Sequence, residues 1–541
     1  MPNSPVAPEN LRGMNLINSP IWNKGTSFTP EERDAFALEG LLPPYVETLE
    51  EQVRRAYVGL RPESSSLEKH IYLRGLQDTN EVLFYRLLLE YSEELMPLIY
   101  RPTIAQACRR FADIYRRPRG LFVSYPLRDR IPELLRSRPY AEVDVIVVTD
   151  GEQVFGLGDA GVNGLGIPIA KLSLHTLFGG IHPSRTLPIV LDVGTNNQEL
   201  LEDPSYPGWR HERIGGREYF DFVDEFVQAV KQELPGTSLH WEDFEAGKSQ
   251  EILERYEYQL PTFNDNLQGV ATATTATLLS AFKAAGNVVR NGEVVFFGAG
   301  PDALTAVDYL KRQMEEEGLS PSDAKMRVWM VDDKGLLHDE RRDLTPAQRR
   351  HAQPYARTST WQKNGSFNLL NVTKNVPAAA LLQFSSGGEP VIHKQVVEEM
   401  AKKTKRPIIL TAANAAQLNP DEINQWSEGR ALSAACETLP VFPAVGLALA
   451  VSRATGITAR MMLAAARALA NCSSFIDGAT GPLVPQISRL REVIVDVATA
   501  IAFEAQNEGL APHLSREELR REIQETQWTP EYPALVQALT V

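Results

Sequence analysis

The pattern of apolar and polar positions changes several times along the chain, and each change marks a different kind of element. Over residues 30–120 apolar positions recur three and four apart, as in "VETLEEQVRRAYVGL" and "TNEVLFYRLLLEYSEELMPLIY". That is the period of helices with one buried face. "TPEERDAFALEGLLP" adds a Thr-Pro-Glu-Glu helix start and a stop near Gly40. From about residue 140 the helical period is lost. "VDVIVVTDG" (143–151) and "TLPIVLDVGTNN" (186–197) are unbroken apolar runs ending in Asp and Gly. Such runs predict strands buried on both faces of a parallel sheet, with the next residues at the carboxyl edge, where α/β proteins hold ligands. "FVDEFVQAVKQEL" (222–234) predicts an amphipathic helix between strands, and "SLHWEDF" (238–244) a strand ending in two acids.

The second half repeats the alternation. Residues 268–283 predict a smooth Ala/Thr/Leu helix, and "NGEVVFFGAGPDALTAVDYLKRQMEEEG" (291–318) a strand, a glycine-rich turn and a helix. Strands follow at "RVWMVDDKG", "PAAALLQFSSGG" and "RPIILTAANAA", and residues 446–541 are mainly helical. In "FFGAGPDA", Gly298, Gly300 and Ala303 match the G-x-G-x-x-G/A dinucleotide fingerprint. The first glycine permits the tight turn, the second lets pyrophosphate approach the backbone, and the following helix offers free N–H groups. Asp332 ends the next strand and is a candidate acceptor for the adenosine ribose, at a longer spacing than usual because "EEEGLSPSDAK" lengthens the helix and loop. A glycine-rich turn with no ligand is the plain alternative. The expected class is α/β. The expected parts are a helical N-terminal region (1–124), a parallel-sheet α/β domain (125–268), a Rossmann-like NAD(P)-binding domain (269–455) and a helical C-terminal region (456–541).

Composition narrows the function. The chain has 541 residues, 43% hydrophobic and 23% charged, with a formal net charge of −14. This is an ordinary globular composition, and the acidic surface argues against nucleic acid and anionic membranes as partners. Three cysteines imply no disulfide framework and fit a reducing compartment. "LPVFPAVGLALAV" (439–451) is too short and too broken to span a bilayer, and "MPNSPVAPENLRG" has no secretory apolar run and few basic residues. A cytoplasmic location is expected over a mitochondrial one.

Several side chains carry candidate chemistry, each with a bland alternative. Glu242 and Asp243 at a strand end, with Asp265 before a helix, offer oxygen ligands for a hard divalent cation, or are surface acids and a helix cap. Lys171, in the apolar "GLGIPIAKLSL", is a desolvated base or a snorkelling lysine. Tyr100, in "PLIYRPT", ends a hydrophobic helix as an acid or a core tyrosine.

These residues stop being independent because "KGTSFTPEERDAFALEGLLP", "KHIYLRGLQDTNEVLFYRLL", "LIYRPTIAQAC", "VTDGEQVFGLGDAGVNGLGIPIAKL", "LDVGTNN", "WEDF", "FNDNLQG", "FFGAG" and "VDDKGLL" resemble malic enzymes, in order and over most of the chain. The resemblance implies oxidative decarboxylation of malate to pyruvate and CO2 with NAD, or alternatively NADP, and Mg2+ or Mn2+. It implies Lys171 as base, Tyr100 as the acid that protonates the enol and Asp265 as their charged neighbour, all converging on one cleft. Glu242 and Asp243 would be metal ligands, and a homodimer or homotetramer the assembly. NAD is expected over NADP because Asp332 would repel a 2′-phosphate.

The chain also departs from the family pattern. Asn266 stands where the family has its third acidic metal ligand, which predicts a weaker metal site. Gln153 in "TDGEQ" stands where the family has an arginine that grips a substrate carboxylate. The Ser-Asn-Pro-Thr block is reduced to "AANA", in which Asn414 survives as a cofactor contact. "ETLPVFPAVG" lacks the paired asparagines, a loop before it is shortened, and "QFSSGGEP" replaces the second glycine-rich contact. The expectation is a small hydroxy- or keto-acid substrate, altered from malate. The alternatives are a non-redox decarboxylase or lyase and a non-catalytic homologue serving as a regulatory subunit.

Overall fold

The computed structural model describes residues 11–154, 157–361, 367–384, 391–413, 415–473 and 482–535. The chain divides into two compact units: Met1–Phe244 with Leu449–Val451 and Arg521–Val541, and Glu245–Ala448 with Ser452–Arg520.

The first unit begins with the expected helices, Leu49–Val58, Ser66–Thr79, Glu81–Glu90, Ser92–Ile99 and Thr103–Arg109. Two of them, like the preceding Pro30–Ala35, start on a reciprocal cap: Thr29 with Glu32, Thr48 with Glu51, Ser65 with Glu68. Pro30–Ala35 stops well short of Gly40, because Ala37 turns into the left-handed region at φ +56°.

Four parallel strands follow: β1 (Leu121–Ser124), β2 (Val145–Thr149), β3 (Thr186–Asp192) and β4 (Ser238–Trp241). They are ordered β1-β3-β2-β4, with Val145 opposite both Thr186 and Ser238. β1 was not anticipated, since "LFVS" is too short to stand out. The unbroken apolar runs have a direct cause, because both sheet faces are covered. Val145 and Val147 pack with Leu172 of the helix Gly166–Leu177. Trp241, in register with Val148, meets Phe226 of the helix Gly216–Glu233 edge to face. The shared direction of the strands puts Asp150, Asp192 and Glu242 at one sheet edge.

In the second unit a short strand, β5 (Thr262–Asn264), runs into a π-turn, Asp265–Gly269, and then the helix Val270–Ala284. The expected smooth helix therefore starts two residues later than 268, after a wider turn. The remaining strands are β6 (Glu293–Phe297), β7 (Val328–Asp332), β8 (Gly335–Leu336), β9 (Ala378–Gln383), β10 (Ile408–Ala412) and β11 (Leu432–Cys436). Their order is β11-β10-β9-β6-β7-β8, parallel except for β8. Strand order reverses between β6 and β9, and the crevice of such a sheet opens at that point, beyond the carboxyl ends. The glycine turn 298–300 follows β6 at that place. β11 was also not anticipated, because "LSAAC" is small rather than strongly apolar. The helices Phe442–Ser452, Ala459–Asn471, Leu490–Asn507 and Arg516–Thr526 bear out the helical C-terminal region.

One packing feature of the first unit has a pH signature. His70 is buried, its Nδ1 lies 2.7 Å from the Leu98 carbonyl oxygen, and burial beside Arg74 lowers its pKa to about 3. The unfolded chain protonates this histidine near its ordinary value of 6.5, whereas the folded chain resists until about 3. Its contribution is therefore present above 6.5 and is lost on acidification, by about 1.4 kcal/mol per pH unit. Melting temperature measured from pH 7 to pH 4 should fall for the native chain and fall less steeply for His70→Asn. Parallel profiles would refute this assignment.

Candidate active site

Tyr100, Lys171, Glu242 and Asp243 come together in the first unit around a cavity of about 180 Å3, which Arg101, Pro102 and Ile167 also line. A larger cavity of about 360 Å3 lies elsewhere in the unit, against Gln77, Glu81 and Arg119. The smaller one gathers the candidate acid and base groups. Lys171 sits on the inner face of Gly166–Leu177 and is almost completely buried, so the snorkelling alternative fails. Its Nζ lies 3.2 Å from Glu242 Oε1 and 5.6 Å from the centre of the Tyr100 ring. Tyr100 caps the end of Ser92–Ile99, and the Arg101 guanidinium lies 5.6 Å from the centre of its ring. Gly166 lets the elements approach, since a β-carbon there would come within 2.8 Å of Cys108 Sγ on Thr103–Arg109.

Glu242 and Asp243 are buried too, and so are not surface acids. His240 Nε2 lies 3.1 Å from Glu242 Oε2, and His175 Nε2 lies 3.2 Å from His240 Nδ1. Burial pushes the Glu242 carboxyl up, but Lys171, the His240 hydrogen bond and Arg101 outweigh it and hold the group down at about 2. Burial, with His240 and Lys171 close by, holds the His175 imidazole well below its usual range. Asp243 adopts φ +58°, a left-handed conformation that costs a non-glycine residue about 1–3 kcal/mol. Its carbonyl oxygen accepts a hydrogen bond of 3.1 Å from the backbone N–H of Gln153. The loop that carries Gln153 is tied down by the buried Arg213, which reaches Asp159 at 2.7 Å and the Asp150 carbonyl at 3.1 Å.

In the second unit Asp265 opens the π-turn and is buried. It is not a helix cap, because Asn264 supplies that bond to the Leu267 N–H at 3.0 Å. The Thr438 hydroxyl donates to Asp265 Oδ2 at 2.9 Å. Asn266, beside it, is half-buried. Gly298 takes φ +119°, a turn only glycine makes easily, and Ala303 is fully buried where the helix meets the sheet. Asp332 ends β7 as expected, but both its oxygens are gripped by Arg341, each at 2.8 Å. Asn414 lies outside the described residues, as does "QFSSGGEP" beyond Phe384.

The family model described as "Malic enzyme, N-terminal domain" matches residues 77–257, and "Malic enzyme, NAD binding domain" matches residues 267–440 and 434–506. The chain belongs to the malic enzyme family. Among curated relatives, "NAD-dependent malic enzyme" of Pseudomonas savastanoi pv. phaseolicola is 43% identical over 96% of this chain and 97% of its own. The protein of the same name from Photorhabdus laumondii is also 43% identical, over 96% of this chain and 95% of its own. A crystal structure of the Entamoeba histolytica malic enzyme shares the fold at a TM-score of 0.56 and 20% identity, covering 91% of this chain and 92% of that one.

Motif reading missed Arg101, the His175–His240 pair, Arg341 and the strained Asp243. Each acts through geometry rather than a spacing. His240 alone had a usable signal, a titratable residue two positions before Glu242 and so on the same face of one strand.

Gly269 provides a test. A β-carbon there would sit 1.9 Å from Asp265 Oδ1, so the π-turn and the acid exclude any larger residue. Gly269→Ala should lower stability by about 1–3 kcal/mol in denaturant unfolding. An unchanged midpoint would mean that Asp265 is free to move.

Proposed function

We propose that the chain is an NAD-dependent oxidoreductase that oxidises malate at C2 and releases CO2 to leave pyruvate. The observation that carries this is the match, 43% over 96% of the chain, to relatives named for that activity. The cavity joining Tyr100, Lys171, Glu242 and Asp243 supports it with the residue types the reaction needs. Neither the altered substrate, the non-redox lyase nor the non-catalytic subunit gains support from these relatives.

Lys171 takes the proton of the C2 hydroxyl. Burial favours its amine and Glu242 favours its ammonium, so one side chain is suited to accept a proton and release it. Tyr100 delivers a proton to C3 of the enol after CO2 departs, and Asp265 is assigned as the charged neighbour of these two. When bound, NAD takes up the C2 hydride and a divalent cation polarises the C2 oxygen. An ionised Glu242 and a pinned Asp243 are the hard oxygen donors that Mg2+ or Mn2+ requires, and Asn266 is assigned as the third, uncharged ligand. Gly298, Gly300 and Ala303 suit a dinucleotide. Arg341 on Asp332 favours a second reading of the cofactor, since an arginine at that strand end accommodates the 2′-phosphate of NADP. A homodimer or homotetramer and a cytoplasmic location complete the proposal, the latter in keeping with three free cysteines. No helix among the described residues is long and apolar enough to cross a membrane.

Purified protein should reduce NAD with malate and Mn2+, releasing CO2. Lys171→Ala should abolish turnover, and Tyr100→Phe should lower kcat by roughly 100-fold or more. Retention of full activity in Lys171→Ala would sink the assignment of the base. Asn266→Asp should tighten Mn2+ binding in a calorimetric titration, because it restores one negative charge. Equal affinities would mean that residue 266 is not a ligand.

A further inference from the structure

The nucleotide turn carries an anion of its own. Asp302 is the second residue of the helix Pro301–Glu316, one step before Ala303 in the fingerprint. Its carboxylate folds back over Gly300, so that a β-carbon on Gly300 would lie 2.9 Å from Asp302 Oδ1. Burial pushes this carboxyl up to about 6, opposed by the backbone N–H groups of Ala303 and Asp302 itself. Gly300 and the first N–H groups of this helix are where the fingerprint seats the pyrophosphate of a dinucleotide. A helix start of this kind attracts one anion well. A second anion brought to this turn must displace the carboxylate over Gly300 or bear its repulsion.

We propose that Asp302 is a resident anion at the pyrophosphate seat and lowers cofactor affinity by overhanging Gly300, where its charge repels the pyrophosphate. This rests on the reading of the second unit as the NAD-binding unit. Asp302 is then a residue that tunes affinity rather than a ligand for the cofactor. Its effect falls on ligands that carry a pyrophosphate and spares those that do not.

The test is a calorimetric titration of the full chain, native, Asp302→Asn and Asp302→Ser, with NAD, ADP-ribose and adenosine. Both variants should bind NAD and ADP-ribose roughly tenfold more tightly, since one like charge is removed within contact distance of the pyrophosphate. Adenosine affinity should not change. A gain of affinity is a readout that mere damage to the turn does not produce, and Asp302→Ser keeps a side-chain oxygen at the helix start if Asp302→Asn folds poorly. Unchanged or weaker binding of NAD and ADP-ribose in both variants would overturn the proposal, as would an equal gain for adenosine. Failure of the native protein to oxidise malate would instead sink the functional reading and leave this binding comparison standing.

Discussion

The first unit is organised around a charge pair that is expensive to bury. Lys171 and Glu242 meet at 3.2 Å with both side chains almost completely buried. Removing one partner from such a pair leaves an uncompensated charge, at a cost of about 3–5 kcal/mol. The pair therefore needs both of its carriers at once: the helix Gly166–Leu177, seated by Leu172 on β2, and the end of β4, set by parallel register with β2. It also needs satisfied oxygens, which His240 provides and His175 backs up. The sheet, the glycine-tight approach of Thr103–Arg109 and the arrival of Tyr100 beside Lys171 all follow from placing that one pair.

The second unit works by different means. Its defining geometry is backbone geometry, with a glycine at φ +119° after β6 and a helix start placed where strand order reverses. Side chains there modulate rather than define. Arg341 occupies the carboxylate that ends β7, and Asp302 occupies the space above Gly300. One unit concentrates ionised groups around a cavity. The other offers a helix start at a sheet edge, with the Asp302 carboxylate folded over its glycine turn.

Much of this was legible in the residues. Unbroken apolar runs located β2, β3, β6 and β10, because burial on two faces leaves no polar alternation. The gathering of Tyr100, Lys171, Glu242 and Asp243 around one cavity was legible from the strand and helix ends they follow, taken with the resemblance, since periodicity alone left each with a bland alternative. Short or weakly apolar strands, such as β1 and β11, carry too little side-chain signal to announce themselves. The π-turn at Asp265 and the left-handed Asp243 were invisible, because both are imposed by contacts remote in sequence. So was the grip of Arg341 on Asp332, nine residues away across a bend, which makes the acid a poorer indicator of cofactor choice than its position alone suggested.

The left-handed backbone at Asp243 links two parts of the first unit mechanically. A strained peptide keeps its conformation only while something holds it, and one holder is the N–H of Gln153 on the carbonyl of Asp243. Gln153 belongs to the loop anchored by the buried Arg213, so the acid and the loop form one latch. Arg213 fixes Asp150 and Asp159 on either side of Gln153, so the backbone that carries the Asp243 carboxylate is held through this loop. The geometry of a cavity-wall acid is thus set by an arginine that never touches the cavity.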